Sequence, residues 1–177
     1  YLRLAPEIAG PTEGFYWLAD KETGKLELVE NTNITLYEEN DTEHVGWYYE
    51  PVKAGTAIWM APYENQNTNR IIVSYTMPIY KADQLIGVIG MDIDWPYITS
   101  SIDEIQVYET GYAFLIDENF DIVYSKELAS GVNISSFSQD LAQIEVSELT
   151  RSDRVYALEV NGGGRIAAFT SLSNGKI

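Results

Sequence analysis

Two apolar runs dominate the pattern along the chain. Residues Ile71 to Tyr80 and Leu85 to Ile93 are dense in β-branched and aromatic side chains, and Lys81-Ala82-Asp83-Gln84 joins them. That arrangement predicts an antiparallel hairpin. Upstream, Gly10-Pro11-Thr12 signals a turn, Phe15 to Asp20 reads as a strand, and Lys25 to Val29 returns from the turn Lys21-Glu22-Thr23-Gly24. Tyr1 to Ala9, interrupted by Pro6, reads as the tail of a helix lying mostly upstream. Glu30 to His44 is polar and acidic and predicts an irregular loop, where binding residues tend to lie. Val45 to Val52 predicts one or two helical turns closed by Gly55. The segment Trp59-Met60-Ala61-Pro62-Tyr63 and an Asn-rich turn (Asn65, Asn67, Asn69) lead into the hairpin. Asp94-Trp95-Pro96 then reads as a helix start, with Asp94 as cap and Pro96 in the first turn. Ile98, Ile102 and Ile105 give that helix one buried stripe.

A second unit begins near Thr110. Gly111 to Ile116 and Asp121 to Tyr124 read as strands around the turn Asp117-Glu118-Asn119, and Phe137 to Val146 as a helix. Arg154 to Val160 and Arg165 to Leu172 form a hairpin around Asn161-Gly162-Gly163-Gly164. This order fits a small α+β unit with one antiparallel sheet. The phrases Gly14-Phe15-Tyr16-Trp17-Leu18-Ala19-Asp20 and Gly111-Tyr112-Ala113-Phe114-Leu115-Ile116-Asp117 echo each other and favour two related subdomains.

Composition narrows the function. A chain of 177 residues with 45% hydrophobic and 21% charged residues suits one sizeable globular domain or two small ones. The net charge of −16, with no Lys/Arg cluster, speaks against nucleic-acid binding, which needs a basic footprint. Cysteine is absent, so there is neither a disulfide framework nor thiolate chemistry. No apolar run approaches the roughly 18 residues of a membrane span. The abrupt start at Tyr1 and the strand-end phrase Asn174-Gly175-Lys176-Ile177 read as a piece of something longer. Thirteen tyrosines and four tryptophans suit a binding module, although a β-rich core uses aromatics too.

The succession WYY, WMAPY, IIVSYTMPIY, LIGVIGMDID and ETGYAFLIDENFDIVYS resembles a double Cache (dCache) sensor domain, the extracytoplasmic sensory part of bacterial and archaeal chemoreceptors, histidine kinases and diguanylate cyclases. The resemblance implies an α+β fold of two PAS-like (Cache) subdomains, each an antiparallel sheet flanked by helices, with a long N-terminal helix truncated or absent here. Residues 1–107 would form the membrane-distal, ligand-binding subdomain and 108–177 the membrane-proximal one. It further implies membrane anchoring through segments not in this chain, a homodimer among the expected assemblies, and a small-molecule ligand under loops of the distal unit. Amino-acid-sensing members use a tyrosine, an arginine two residues before a Trp-Tyr pair, and an aspartate ending the last sheet strand. Trp47 and Tyr48 match the pair and Asp92 the acid. Val45 stands at the arginine position and Asn40 at the tyrosine position, with Tyr37 close by. The half of the site that holds an amino group is thus retained, and the half for a carboxylate is lost.

These residues set the candidate chemistry. Aromatic faces and one carboxylate suit an amine or amino-acid ligand, and Trp47, Tyr48, Tyr63, Tyr75 and Asp92 are the candidate contacts. Tyr75 alternates with Val73 and Met77, which gives it a core reading as well; Trp59 reads as core, and Asp94 as a helix cap. Asp92 and Asp94 form too thin a set for Ca²⁺, and no metal or cofactor is expected. An enzyme is not expected either: His44 is the only histidine, and no nucleophile or phosphate-cradling motif accompanies it. The competing expectation is a secreted carbohydrate-binding or adhesion module, since tryptophans also stack on sugars.

Overall fold

A computed structural model describes residues 1–138, 141–144, 155–160 and 163–170. The chain forms two compact units, Tyr1–Tyr97 and Ile98–Ile177. They part earlier than the 107/108 boundary expected from sequence. Asp103, near the end of the helix that follows the hairpin, takes a 2.7 Å hydrogen bond from the Tyr124 hydroxyl and so belongs with the second unit.

The first unit is built on a seven-stranded antiparallel sheet. Its elements in chain order are β1 (Leu2–Leu4), α1 (Pro6–Ala9), β2 (Gly14–Ala19), β3 (Leu26–Val29), a 3-10 turn at Ile34–Leu36, α2 (Thr42–Ala54), β4 (Ile58–Trp59), β5 (Tyr63–Asn65), β6 (Arg70–Lys81) and β7 (Gln84–Asp94). The strands run in the order β3-β2-β1-β7-β6-β4, with β5 also on β6. The expected hairpins β2–β3 and β6–β7 are present. In the second, Lys81 pairs with Gln84, so the connection tightens to Ala82-Asp83, at φ 46° and 64°. Two consecutive positive φ values are the geometry of the tight hairpin turn whose twist matches its strands. The N-terminal residues, expected as the tail of a helix, instead form β1, which lies between β2 and β7. Gly14 and Gly87 let it approach closely: a Cβ at either would sit 2.2 or 2.1 Å from a β1 carbonyl oxygen.

Helix α2 is longer than expected because it starts inside the polar stretch. The Asp41 carboxylate accepts the His44 N–H at 3.2 Å and caps the N-terminus, and Gly55 ends the helix in the left-handed region at φ 66°. Pro51 lies within it and cannot donate to the Trp47 carbonyl one turn back. That carbonyl instead accepts from the Thr76 hydroxyl at 2.9 Å, which fastens α2 to β6. Ile34, Val45, Tyr48 and Val88 form the core between helix and sheet. The opposite sheet face carries Phe15, Trp17, Leu28, Met77, Ile89 and Met91, all exposed.

The division at Tyr97/Ile98 falls within α3 (Trp95–Asp103), whose Ile102 is buried, and the second unit contains the antiparallel pairs β8 (Gln106–Val107) with β9 (Gly111–Tyr112), β10 (Phe114–Ile116) with β11 (Ile122–Ser125), and β12 (Val155–Val160) with β13 (Gly163–Ala168). Ile122, Ile134, Leu141 and Leu158 form its core. Among the described residues, its strands pair in three separate two-stranded ladders. Of the expected helix over 137–146, residues 141–143 form a 3-10 turn, while 139, 140, 145 and 146 lie outside the described residues, as do Arg154, Asn161, Gly162, Ser171 and Leu172 of the expected hairpin. The repeated phrase marks one local device used twice. Asp20 accepts the backbone N–H groups of Glu22 and Thr23, and Asp117 those of Asn119 and Asp121, each carboxylate closing a hairpin turn.

Candidate ligand-binding site

On β7, Val88, Gly90 and Asp92 share one face by the two-residue period of a strand, and Val88 is in the core beneath α2. Asp92 therefore faces the helix side. There it lines a small cleft, partly open to solvent, with Tyr1, Arg3, Tyr16 and Trp47 among the walls, Asn65 at the end of β5, and Asn31, Thr32 and Asn67 on the loops around it. Cross-strand pairing sets Ser74 opposite Asp92, and its hydroxyl donates to Oδ1 at 2.7 Å. The Tyr16 hydroxyl donates to Oδ2 at 3.1 Å. Each carboxylate oxygen thus has one hydroxyl donor and lone pairs left over. Burial raises the Asp92 pKa, against the pull of these two hydrogen bonds. The same burial, with the Asp92 charge next in size, pushes the Tyr16 phenol well above its ordinary value.

Aromatic rings stand beside the acid. Tyr1 packs edge-on against Trp47 at 4.9 Å between ring centroids and against Tyr16 at 6.1 Å. The Trp47 indole N–H donates to the His44 carbonyl at 2.8 Å, so its rotamer is fixed by its own helix. His44 shares the Asp41 carboxylate through Nδ1 at 2.9 Å and stacks on Tyr37 at 4.3 Å. The Asn67 side-chain amide also donates to the His44 carbonyl, tying the loop after β5 to the start of α2.

Of the five residues singled out from sequence, the structure brings Trp47 and Asp92 together in the cleft. Tyr63 stands behind the acid: its hydroxyl is 3.1 Å from the Ser74 hydroxyl that holds Asp92, and burial pushes its pKa up to about 12. Tyr48 does not line the cleft. It is buried with Ile34, Val45 and Val88, because one helical step turns it about 100° away from Trp47. Tyr75 does not line it either. Ser74 and Thr76 face α2, so Tyr75 takes the other sheet face, packed on Trp59 at 4.9 Å. Asp94 pairs with Arg70 at 3.4 Å. Tyr1, Arg3, Tyr16 and Ser74 were not singled out from sequence. A lone arginine between Leu2 and Leu4 was the one signal available for Arg3, and nothing local marked Tyr16 within its aromatic run.

A mixed α/β unit whose helix covers one face of an antiparallel sheet, with a walled cleft between, defines the PAS-like class of small-ligand domains. The sequence matches the Cache domain, in its double-Cache (dCache_1) form, over residues 7–176, and the chain belongs to that family. Cache sensor domains are ligand-binding modules rather than enzymes. Similar solved structures include the ligand-binding domain of the Pseudomonas aeruginosa PAO1 amino acid chemoreceptor PctC in complex with GABA. That match has 20% identity and a TM-score of 0.54, over 90% of this chain and 69% of that one. The sensory domain of the Campylobacter jejuni chemoreceptor Tlp3 with isoleucine bound matches at 22% and 0.54, over 97% and 60%. The P. aeruginosa PAO1 chemoreceptor PctB domain in complex with L-Arg matches at 19% and 0.55, over 92% and 66%. At these identities the likeness is one of fold, and the chain spans about two thirds of their length or less. Among the described residues no helix is long and apolar enough to cross a membrane, and no group of three or more His, Asp or Glu is placed to hold a metal.

Proposed function

We propose that this chain is the extracytoplasmic sensor part of a membrane-anchored signalling receptor, and that its first unit binds an amine-bearing small molecule, an amine or amino acid, with the ammonium group on Asp92. The observation that carries the reading is the Asp92 carboxylate itself. It is desolvated, oriented by Tyr16 and Ser74, walled by Trp47 and Tyr1, and among the described residues it makes no ion pair. A desolvated carboxylate gains most from a partner that brings both charge and N–H donors. An ammonium group supplies both, and its methylenes pack on indole and phenol faces, where a cation–π contact contributes about 0.5–2 kcal/mol. Amino acids in the domains of similar fold agree with this chemistry. Family membership favours the receptor over a carbohydrate-binding or adhesion module.

Signalling would follow from a population shift. A ligand that bridges Asp92, Trp47 and the loops at Asn31–Thr32 and Asn65–Asn67 stabilises the closed cleft only as far as it binds that form better than the open one. A thermal-shift screen of amines, amino acids and sugars tests the reading. At a hundredfold excess over Kd, a cleft ligand adds about 2.7 kcal/mol of stability. Stabilisation by an amine or amino acid is the expected result. Stabilisation by sugars alone would overturn it.

A further inference from the structure

Strand β7 presents Val88, Gly90 and Asp92 in succession on the face beneath α2. Val88 belongs to the core and Asp92 to the cleft, so whatever lies over Gly90 decides whether these are one space or two. Tyr1 lies there. Its backbone nitrogen donates to the Gly90 carbonyl at 2.7 Å and its carbonyl accepts the Gly90 N–H at 3.0 Å, so the two residues stand directly opposite and share a face. The phenol ring crosses over the glycine. A Cβ at Gly90 would sit 2.5 Å from the Tyr1 Cζ and Oη and 2.8 Å from the Tyr75 carbonyl oxygen, so any other residue would evict the ring. Trp47 and Tyr16 close on it edge-on. The same ring packs against the core of Ile34, Val45, Tyr48 and Val88 and lines the cleft. Burial, with the Asp92 charge next, holds the phenol well above its ordinary pKa, so this partition carries no charge at neutral pH.

We propose that Tyr1 is the specificity-determining residue of the cleft: its ring partitions Asp92 from the apolar core and restricts the ligand to an amine-bearing molecule with a short aliphatic part. The inference rests on the seating of an ammonium group on Asp92 and narrows what that molecule can carry. A chain directed along β7 toward Val88 meets the ring, which Trp47 and the sheet at Gly90 hold in place. A chain directed through the opening stays in water and gains nothing from burial. Without the ring, the space beside Asp92 would continue onto Val88 and its apolar neighbours, and each further methylene would be buried there.

Calorimetry on two homologous series tests this. Straight-chain primary amines from methylamine to hexylamine, and straight-chain L-α-amino acids from alanine to norleucine, are titrated into the wild-type chain, Tyr1→Phe and Tyr1→Ala. In the wild type and in Tyr1→Phe, which keeps the ring, affinity is expected to stop rising before the longest members. In Tyr1→Ala it should keep rising by about fourfold per methylene, the worth of one buried CH₂, while the shortest members bind no better than to the wild type. A purely structural role for Tyr1 would shift all members alike and leave the dependence on chain length unchanged. That result overturns the size limit and leaves the Asp92 assignment standing, as does a rise that continues to hexylamine or norleucine in the wild type or in Tyr1→Phe. Binding by no member of either series overturns both. Should Tyr1→Ala fail to fold, the wild-type and Tyr1→Phe series decide alone.

Discussion

Burial raises the Asp92 pKa even though Ser74 and Tyr16 both donate to the carboxylate, so the folded chain binds this proton more tightly than the unfolded one. Its contribution to stability is therefore full at low pH and is lost as pH rises from the ordinary carboxylate range through the raised value. Asp92→Asn, at neutral pH, removes a desolvated charge while keeping an oxygen and an amide for the two hydroxyls. Without ligand it should melt about 2–4 °C higher, a gain of roughly 1 kcal/mol. A lower melting temperature than wild type would show that the carboxylate is held by more than it loses to burial. Thr76 tests a different element of the site. Pro51 leaves the Trp47 carbonyl without a helical donor, and the fully buried Thr76 hydroxyl supplies one. Thr76→Val should cost about 1–3 kcal/mol, the penalty for an unmet buried acceptor. Thermal denaturation reads that cost, and a changed Trp47 environment should accompany it in the fluorescence spectrum. At this scale the sequence disclosed part of the site. Trp47 and Asp92 stood out as members of dense aromatic and strand-end motifs, whereas Tyr16 meets Asp92 only because β1 joins β2 to β7 in one sheet.

Hairpins were legible because alternation and turn chemistry are local. The β6–β7 pair and the β2–β3 pair form where the pattern placed them. Helix α2 was only half visible, since Thr42, Glu43 and His44 look like loop until Asp41 is recognised as their cap. β1 was read as helix, because three residues carry too little periodicity to distinguish the two and the strand is defined by its neighbours on both sides. The β6–β7 turn carries a testable strain. Ala82 sits at φ 46°, a region that asparagine tolerates and alanine disfavours. Ala82→Asn should stabilise the hairpin by up to about 1 kcal/mol, read as a rise in the melting temperature. No rise would mean that the turn relaxes in solution.

At the scale of the whole molecule, net charge and site chemistry agree. A chain at −16 attracts cations over distance, which agrees with a ligand that brings positive charge to Asp92. All residues lining the cleft belong to the unit Tyr1–Tyr97. On ligand binding, amide exchange should slow in β1, α2 and β5 to β7. Protection confined to the second unit would place the site elsewhere. The most direct measurement is calorimetry of the best ligand from the thermal screen against wild type and Asp92→Asn at neutral pH. A charge-assisted hydrogen bond of about 1.5–3 kcal/mol predicts a loss of roughly 10- to 150-fold in affinity. Affinity within twofold of wild type would contradict the seating of an ammonium group on Asp92.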